Sequence, residues 1–504
     1  MLPDAVQTDP HGLALDDLTR TRSWAELGDR ATRVGRLFQD RYGIGAGGHV
    51  AMIMGNRVEF VELILGALLS GVWLTPINWH LTAEEAAYIV RDSESQLVIA
   101  DPEFEAVARA AAGDLPVLMV GAELDDALAG ARADTFDGEG PAGGAMLYTS
   151  GTTGQPKGVK RAATSSVNSQ VHLSRATGPI IGLDGGGPHL VTGPLYHAAP
   201  LGYAFIDLQN GAPLVIMPRW DEHQALQLID ERQVHNSHLV PTMFVRLLRL
   251  ADDERTSFDG SSLHTVLHGA APVSVPVKTR MIEWWGPVLL EYWGASEGGV
   301  VTIVGSQDWL EHPGTVGRAV PSYEVFAADA EGTRLAPDEV GTLWCRNTVT
   351  DKVFEYHNAP EKTAGAFLEP GTYTIGDIGR VDADGWVYLA DRAANMIISG
   401  GVNIYPAEIE QVLVEHPAVL DAGVFGIPDE EWGESVKGAV ELVDGVVPSP
   451  ELEAEILAFA RQHLAGYKVP RSIDFEEALP RYPTGKLYTR VLRDKYWQGT
   501  DRSI

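Results

Sequence analysis

A single cysteine, Cys345, stands among the 504 residues. An internal disulfide framework is therefore excluded, and a reducing compartment such as the cytoplasm is the expected setting. Cys345 lies in GTLWCRN, alternating with apolar residues as a strand does, so a packed thiol rather than a nucleophile is expected. Basic residues are also scarce: 38 Lys and Arg face 69 Asp and Glu, a formal net charge of −31. That balance argues against a basic face for DNA or RNA and against attraction to anionic membranes. Long hydrophobic runs are missing too. The most apolar, LILGALLSGVWLTPI from Leu63 to Ile77, is shorter than the roughly 20 residues of a membrane span, and Gly71 and Pro76 interrupt it. A buried helix running into a strand is expected there. The opening MLPDAVQTDPHG has no apolar signal core, and the closing DRSI is no lipidation signal.

What remains is a globular composition, 45% hydrophobic and 21% charged, in a chain long enough for more than one domain. Ser23 with Glu26 and Thr82 with Glu85 have capping-box spacing ahead of helical patterns. Short apolar runs such as HVAMIM, QLVIA, HLVTG, APLVIM, HTVLHGA and PVLLEYW alternate with helical segments. The alternation predicts an α/β class, with mostly parallel sheets covered by helices in a large N-terminal domain. Near residue 390 the texture changes: two strands broken at Asp391–Asn395, then helix, two strands and helix. The expected division is residues 1–390 and a small α+β domain, residues 391–504.

In so acidic a chain, an anionic substrate needs a local island of lysine and backbone N–H groups. YTSGTTGQPKGVK, Tyr148 to Lys160, has that composition. Gly151, Gly154 and Gly158 let backbone approach an anion closely, Thr149, Ser150, Thr152 and Thr153 offer hydroxyls, and Lys157 offers charge. A Walker loop needs glycine directly before its lysine and Ser or Thr after it; Lys157 lies between Pro156 and Gly158. Phosphate holding is expected, of another class.

This loop, followed in order by LHGAAPVS (267–274), EYWGASEGG (291–299), PGTVGRAVP (313–321), YTIGDIGR (373–380), DRAANMIISGGVNIYPAEIE (391–410) and PRYPTGKLYTR (480–490), resembles the adenylate-forming enzymes, specifically acyl-CoA synthetases. The resemblance implies two half-reactions: a carboxylate attacks the α-phosphate of Mg-ATP to give acyl-adenylate and pyrophosphate, and CoA thiol then displaces AMP. It implies that Thr149 to Gly154 and Lys157 hold the leaving phosphates and that Glu297, with Thr152, holds Mg²⁺. Asp377 is expected at the ribose hydroxyls with Arg392 beside it. Adenine would lie between Gly269, Ala270 and Ala271 on one side and the aromatic face of Trp293, in Trp293–Gly294–Ala295–Ser296, on the other. Lys486 corresponds to the catalytic lysine of the family. Rotation of the small domain after adenylation would withdraw it and bring Gly400 and Gly401 to a tunnel for the CoA thiol, with Lys468 and Arg471 near the CoA phosphates. Ala394 stands where the family has a charged residue just after its hinge, which bears on the rate of rotation. A homodimer is an expectation of the same kind.

GASEG (294–298) also has the G-x-S-x-G spacing of a hydrolase elbow, but EGGVVTIVG after Ser296 reads as strand rather than the helix an elbow requires. His235 and His238 in HNSH lack an obvious third metal ligand. Substrate choice is expected in PLYHAAPLGYAF (194–205), with His197 beside the carboxylate. Its small apolar residues Ala198, Ala199, Leu201 and Gly202, with Tyr203, and HLVPTMF (238–244) as another wall, predict a hydrophobic acid. Asp207 falls too late to pair an α-ammonium. A fatty acid of medium to long chain is expected; aryl or alicyclic acids, or an acceptor other than CoA (a carrier protein, or a luciferase-like oxidation), are the alternatives within enzymes, and a non-catalytic nucleotide-binding regulator is the alternative outside them.

Overall fold

The computed structural model describes residues 8–149, 156–161, 166–392, 395–399, 402–429, 432–481 and 487–497, with Asp391, Arg392 and Asn403 in backbone only. Five sheets form among the described residues. The largest, of nine strands, runs in the order Arg318–Ala319, Gly299–Gly305, Leu289–Ala295, Thr265–His268, Asn236–Leu239, His189–Val191, Leu214–Ile216, Leu13–Asp16 and Thr21–Ser23. Its interior from Leu289–Ala295 to Leu13–Asp16 is parallel, and the outer pairings are antiparallel. A second, five-stranded sheet built on His49–Ile53 is parallel throughout.

Parallel strands are buried on both faces, and His49–Ile53, Val98–Ala100, Leu214–Ile216 and Thr265–His268 are buried along their whole lengths. Helices begin where capping chemistry predicts. Ser23 and Thr82 each accept from the N3 backbone while Glu26 and Glu85 reach back to the cap. The apolar run forms the Val58–Ser70 helix, which ends on Gly71 in the left-handed region (φ 76) before the Trp73–Pro76 strand. Glu59 and Glu62 are fully buried on that helix, and Arg20 and Arg57, and Arg22 and Arg30, compensate them.

Residues 323–392 depart from the parallel pattern. They contribute an antiparallel six-stranded sheet whose longest pairing is Tyr323–Ala328 with Gly341–Asn347. Cys345 is fully buried in it, and burial pushes its thiol pKa up. Beyond it, Val419–Asp429 and Gly433–Leu442 pair over their lengths, flanked by the Pro406–Val414 and Pro450–His463 helices around a separate apolar core. Among the described residues no helix is long and apolar enough to cross a membrane.

Candidate active site

A cleft of about 1480 Å³ opens at the carboxyl ends of the parallel strands. Its lining includes Thr149, Lys157, His197, Ala270, Ser296 and Glu297, with Gly376 from the antiparallel sheet and Asn395 and Leu487 from the C-terminal part. Segments separated by hundreds of residues thus share one cavity, at the place where open parallel sheets bind ligands.

The floor is a hairpin. Leu289–Ala295 turns back antiparallel into Gly299–Gly305 with a register shift between Trp293 and Gly294. A Cβ on Gly294 would lie 1.9 Å from the Gly299 carbonyl, and one on Gly298 would lie 1.6 Å from the Tyr373 hydroxyl, so neither position admits a side chain. Because strand follows Ser296 where an elbow needs a helix, the hydrolase geometry is absent here. Arg161 Nε donates to the Ser296 carbonyl at 2.8 Å, and the Tyr323 hydroxyl donates to that of Gly298, also at 2.8 Å.

Lys157–Arg161 pairs on one side with Leu147–Thr149 and on the other with Phe354–Tyr356. The second pairing delivers Tyr356, a residue no motif singled out. Its hydroxyl donates to Glu297 Oε1 at 2.9 Å, and Lys157 Nζ lies 4.8 Å from the centre of its ring. Burial and then Lys362 hold the Lys157 pKa below the usual lysine value, with Glu297 opposing them. Burial and the Glu297 charge push the Tyr356 phenol up, so it stays a donor.

Trp293 was expected as a stacking face. It is 5% exposed, packs among Val301, Val316, Leu343 and Tyr373, and its indole N–H donates to Asp377 Oδ2 at 2.7 Å. Ala270 takes a left-handed conformation (φ 67) at the cleft, while Gly269 is buried with Ala271 beside it. A Cβ on Gly269 would meet the Tyr292 carbonyl at 2.6 Å. His197 occupies the N-cap position of the Ala198–Asn210 helix without a side-chain cap bond; burial, then His80, pushes its pKa down to about 4, and its buried Nε2 has no hydrogen-bond partner among the described residues. Asp207 lies outside the cleft, accepting from Gly185 N, Asn236 Nδ2 and the His189 ring. Lys468 Nζ is bracketed by both Glu408 oxygens at 2.8 and 2.7 Å, and Arg471 pairs with Asp429 at 3.3 Å. Of the HNSH histidines, His235 stacks on His264 and His238 bonds to Tyr292. Ser150, Gly151, Thr152, Thr153, Gly154, Ala394, Gly400, Gly401 and Lys486, and the side chain of Arg392, lie outside the described residues.

A family model described as AMP-binding enzyme matches residues 2–352, and one described as AMP-binding enzyme C-terminal domain matches residues 408–486. The chain belongs to the AMP-binding enzyme family. This AMP-binding enzyme is 31% identical over 497 residues to the fatty acid–[acyl-carrier-protein] ligase ScoC of Streptomyces coeruleorubidus, covering 96% of this chain and 93% of the relative. It is 34% identical over 469 residues to the long-chain-fatty-acid–CoA ligase FadD13 of Mycobacterium tuberculosis, covering 90% and 89%. The o-succinylbenzoate CoA synthetase (MenE) of Bacillus subtilis, solved with an acyl-adenylate intermediate, superposes with a TM-score of 0.84 at 26% identity, covering 97% of each chain. The AMP-binding enzyme thus shares the adenylate-forming architecture over 97% of its length.

Proposed function

We propose that this protein is an ATP-dependent acyl-CoA synthetase acting on a hydrophobic carboxylic acid. The observation that carries the reading is the convergence of Thr149, Lys157, His197, Ala270, Glu297 and Gly376 on one cleft. The chemical difficulty is charge: an anionic carboxylate must approach a polyanion, so the site must neutralise both. Lys157 and the loop before it would hold the β- and γ-phosphates. The Tyr356 hydroxyl would fix one oxygen of Glu297, leaving the carboxylate oriented towards the phosphates. Glu297, with Thr152, suits Mg²⁺ as a hard oxygen donor, and the ion would neutralise phosphate charge. Asp377, held by Trp293, would accept from the ribose hydroxyls, with Arg392 near the phosphate, and adenine would lie against Gly269–Ala271.

His197 would meet the acid as a neutral imidazole. It stands at the N-terminus of a 13-residue helix, where the backbone dipole favours a carboxylate. The small residues Ala198, Ala199 and Gly202 then leave room for an apolar acyl group along the helix. Lys486 would bridge carboxylate and α-phosphate as charge builds. Residues 391–504 would form the mobile domain that exchanges Lys486 for Gly400 and Gly401 before thiol attack. Lys468 would have to leave Glu408 to meet CoA.

The test is AMP and thioester formation over a panel of carboxylic acids, with and without CoA. Thioester and AMP in equal amounts, only with CoA and a hydrophobic acid, is the expected result. AMP without thioester would favour transfer to a carrier protein or an oxidation, and no AMP with any acid would sink the reading.

A further inference from the structure

The inner wall of the acyl cavity is polar where a plain hydrocarbon chain needs it apolar. His238, Tyr203 and Tyr292 all line the cleft yet are only 3%, 5% and 8% exposed. His238 Nε2 and the Tyr292 hydroxyl are 3.0 Å apart. The Tyr203 ring packs edge-on against Tyr292 with centroids 5.0 Å apart, and lies 5.4 Å from the His238 ring. Around them stand Ile181, Ile206, Leu267 and Val300.

The neighbouring polar side chains Asn236, Ser237 and Thr192 do not line the cleft. Asn236 donates to Asp207, Ser237 donates to the Leu190 carbonyl, and Thr192 donates to the His238 carbonyl. The His238 ring is different. Burial, with His189 and His197 near it, pushes its pKa down to about 3, so the ring is neutral, with one donor and one acceptor nitrogen. Nε2 faces Tyr292, and Nδ1 has no hydrogen bond to any described residue. An alkyl chain filling this end would strip water from that nitrogen and give nothing back.

We propose that His238, with Tyr203 and Tyr292, selects acids that carry a neutral oxygen function, a hydroxyl or carbonyl, remote from the carboxylate. The proposal rests on the acyl-CoA synthetase reading above. Sites built to hydrogen-bond a substrate oxygen discriminate strongly against analogues lacking it, because their own polar groups are left unpaired.

The test uses the full-length protein and acid pairs of matched shape: 3-phenylpropanoate with and without a ring hydroxyl, cyclohexylpropanoate with and without a ring ketone, and medium-chain acids with and without a hydroxyl along the chain. Acid-dependent AMP formation gives kcat/KM for each. The expected result is a preference of about 10- to 100-fold for the oxygenated member of at least one pair. In His238→Phe that ratio falls towards one, chiefly through KM for the acid; in His238→Gln, which keeps polar atoms, part of it returns. Tyr203→Phe supplies a second ratio should His238→Phe fold poorly. A preference for the hydrocarbon member in every pair, or an unchanged ratio in the folded variants, overturns the proposal while leaving the synthetase reading intact. No AMP from any acid overturns both.

Discussion

Gly202 offers a perturbation in which stability and substrate range move in opposite directions. It lies inside the Ala198–Asn210 helix and lines the cleft. Glycine in a helix interior costs about 0.8–1 kcal/mol relative to alanine. A Cβ built at Gly202 meets no atom within 4 Å, so Gly202→Ala carries no steric cost and should stabilise the protein by about 0.5–1 kcal/mol. Gly66 is the contrasting helical position: a Cβ there would lie 2.3 Å from Val34 Cγ1, and Gly66→Ala should destabilise. The methyl at residue 202 would enter the cleft where the acyl group is proposed to lie, and Gly202→Leu would fill more of it. Each carbon's worth of lost room is worth about 1–3 kcal/mol, or roughly 10- to 200-fold, against an acid that needs it. Urea unfolding and acid-dependent AMP formation, with acetate-sized and bulky acids compared in the same preparation, measure the two effects. A Gly202→Ala protein destabilised by more than about 1 kcal/mol, well outside the helix-propensity range, would show that the Cβ position is not open. A Gly202→Leu protein whose activity falls by the same factor for small and bulky acids would refute the reasoning.

Three other outcomes follow from the site and core. Trp293→Phe keeps most of the ring but removes a hydrogen bond to a buried carboxylate worth about 1.5–3 kcal/mol; KM for ATP should rise roughly tenfold or more, and an unchanged KM would remove Trp293 as the residue that positions Asp377. Lys486→Ala should abolish adenylate formation yet still convert preformed acyl-AMP to thioester, whereas equal loss of both half-reactions would contradict a rotating domain. Burial pushes His49 and His197 down to about 4 and His238 to about 3, while each titrates near 6.5 when unfolded. Their depressed values mean the unfolded chain takes up protons the folded one does not, so stability is full above about pH 6.5 and falls as pH drops towards 4. Between pH 7 and 5.5 the loss should be about 1 kcal/mol per histidine in urea unfolding, reduced in His49→Phe; a flat profile would contradict it.

Local chemistry was the legible part of the fold. Both capping boxes, the helix ending at Gly71 and the buried parallel strands are written in neighbouring residues. The antiparallel pairing of residues 323–392 was not: GTLWCRN alternates as a strand does, but its antiparallel partner Tyr323–Ala328 is set by contacts its own period does not encode. The same limit applies at the site. Glu297 and Lys157 stand in recognisable motifs, but Tyr356 joins them only because Phe354–Tyr356 pairs with Lys157–Arg161. The bond between Trp293 and Asp377 spans 84 residues, and an aromatic residue before Gly294 reads as a stacking face until its burial is known. Asp207 shows the reverse: its late position argues against pairing an α-ammonium, and its side chain belongs to a buried network with His189 and Asn236.

On the proposed reading, the cleft joins a carboxylate to the α-phosphate of ATP before any thiol takes part. Exchange of labelled pyrophosphate into ATP, run without CoA over the acid panel, reports on that order of steps. Acid-dependent exchange that is lost in Glu297→Gln, with thioester appearing only once CoA is added, is the predicted result. Thioester formation with no pyrophosphate exchange under any acid would contradict it.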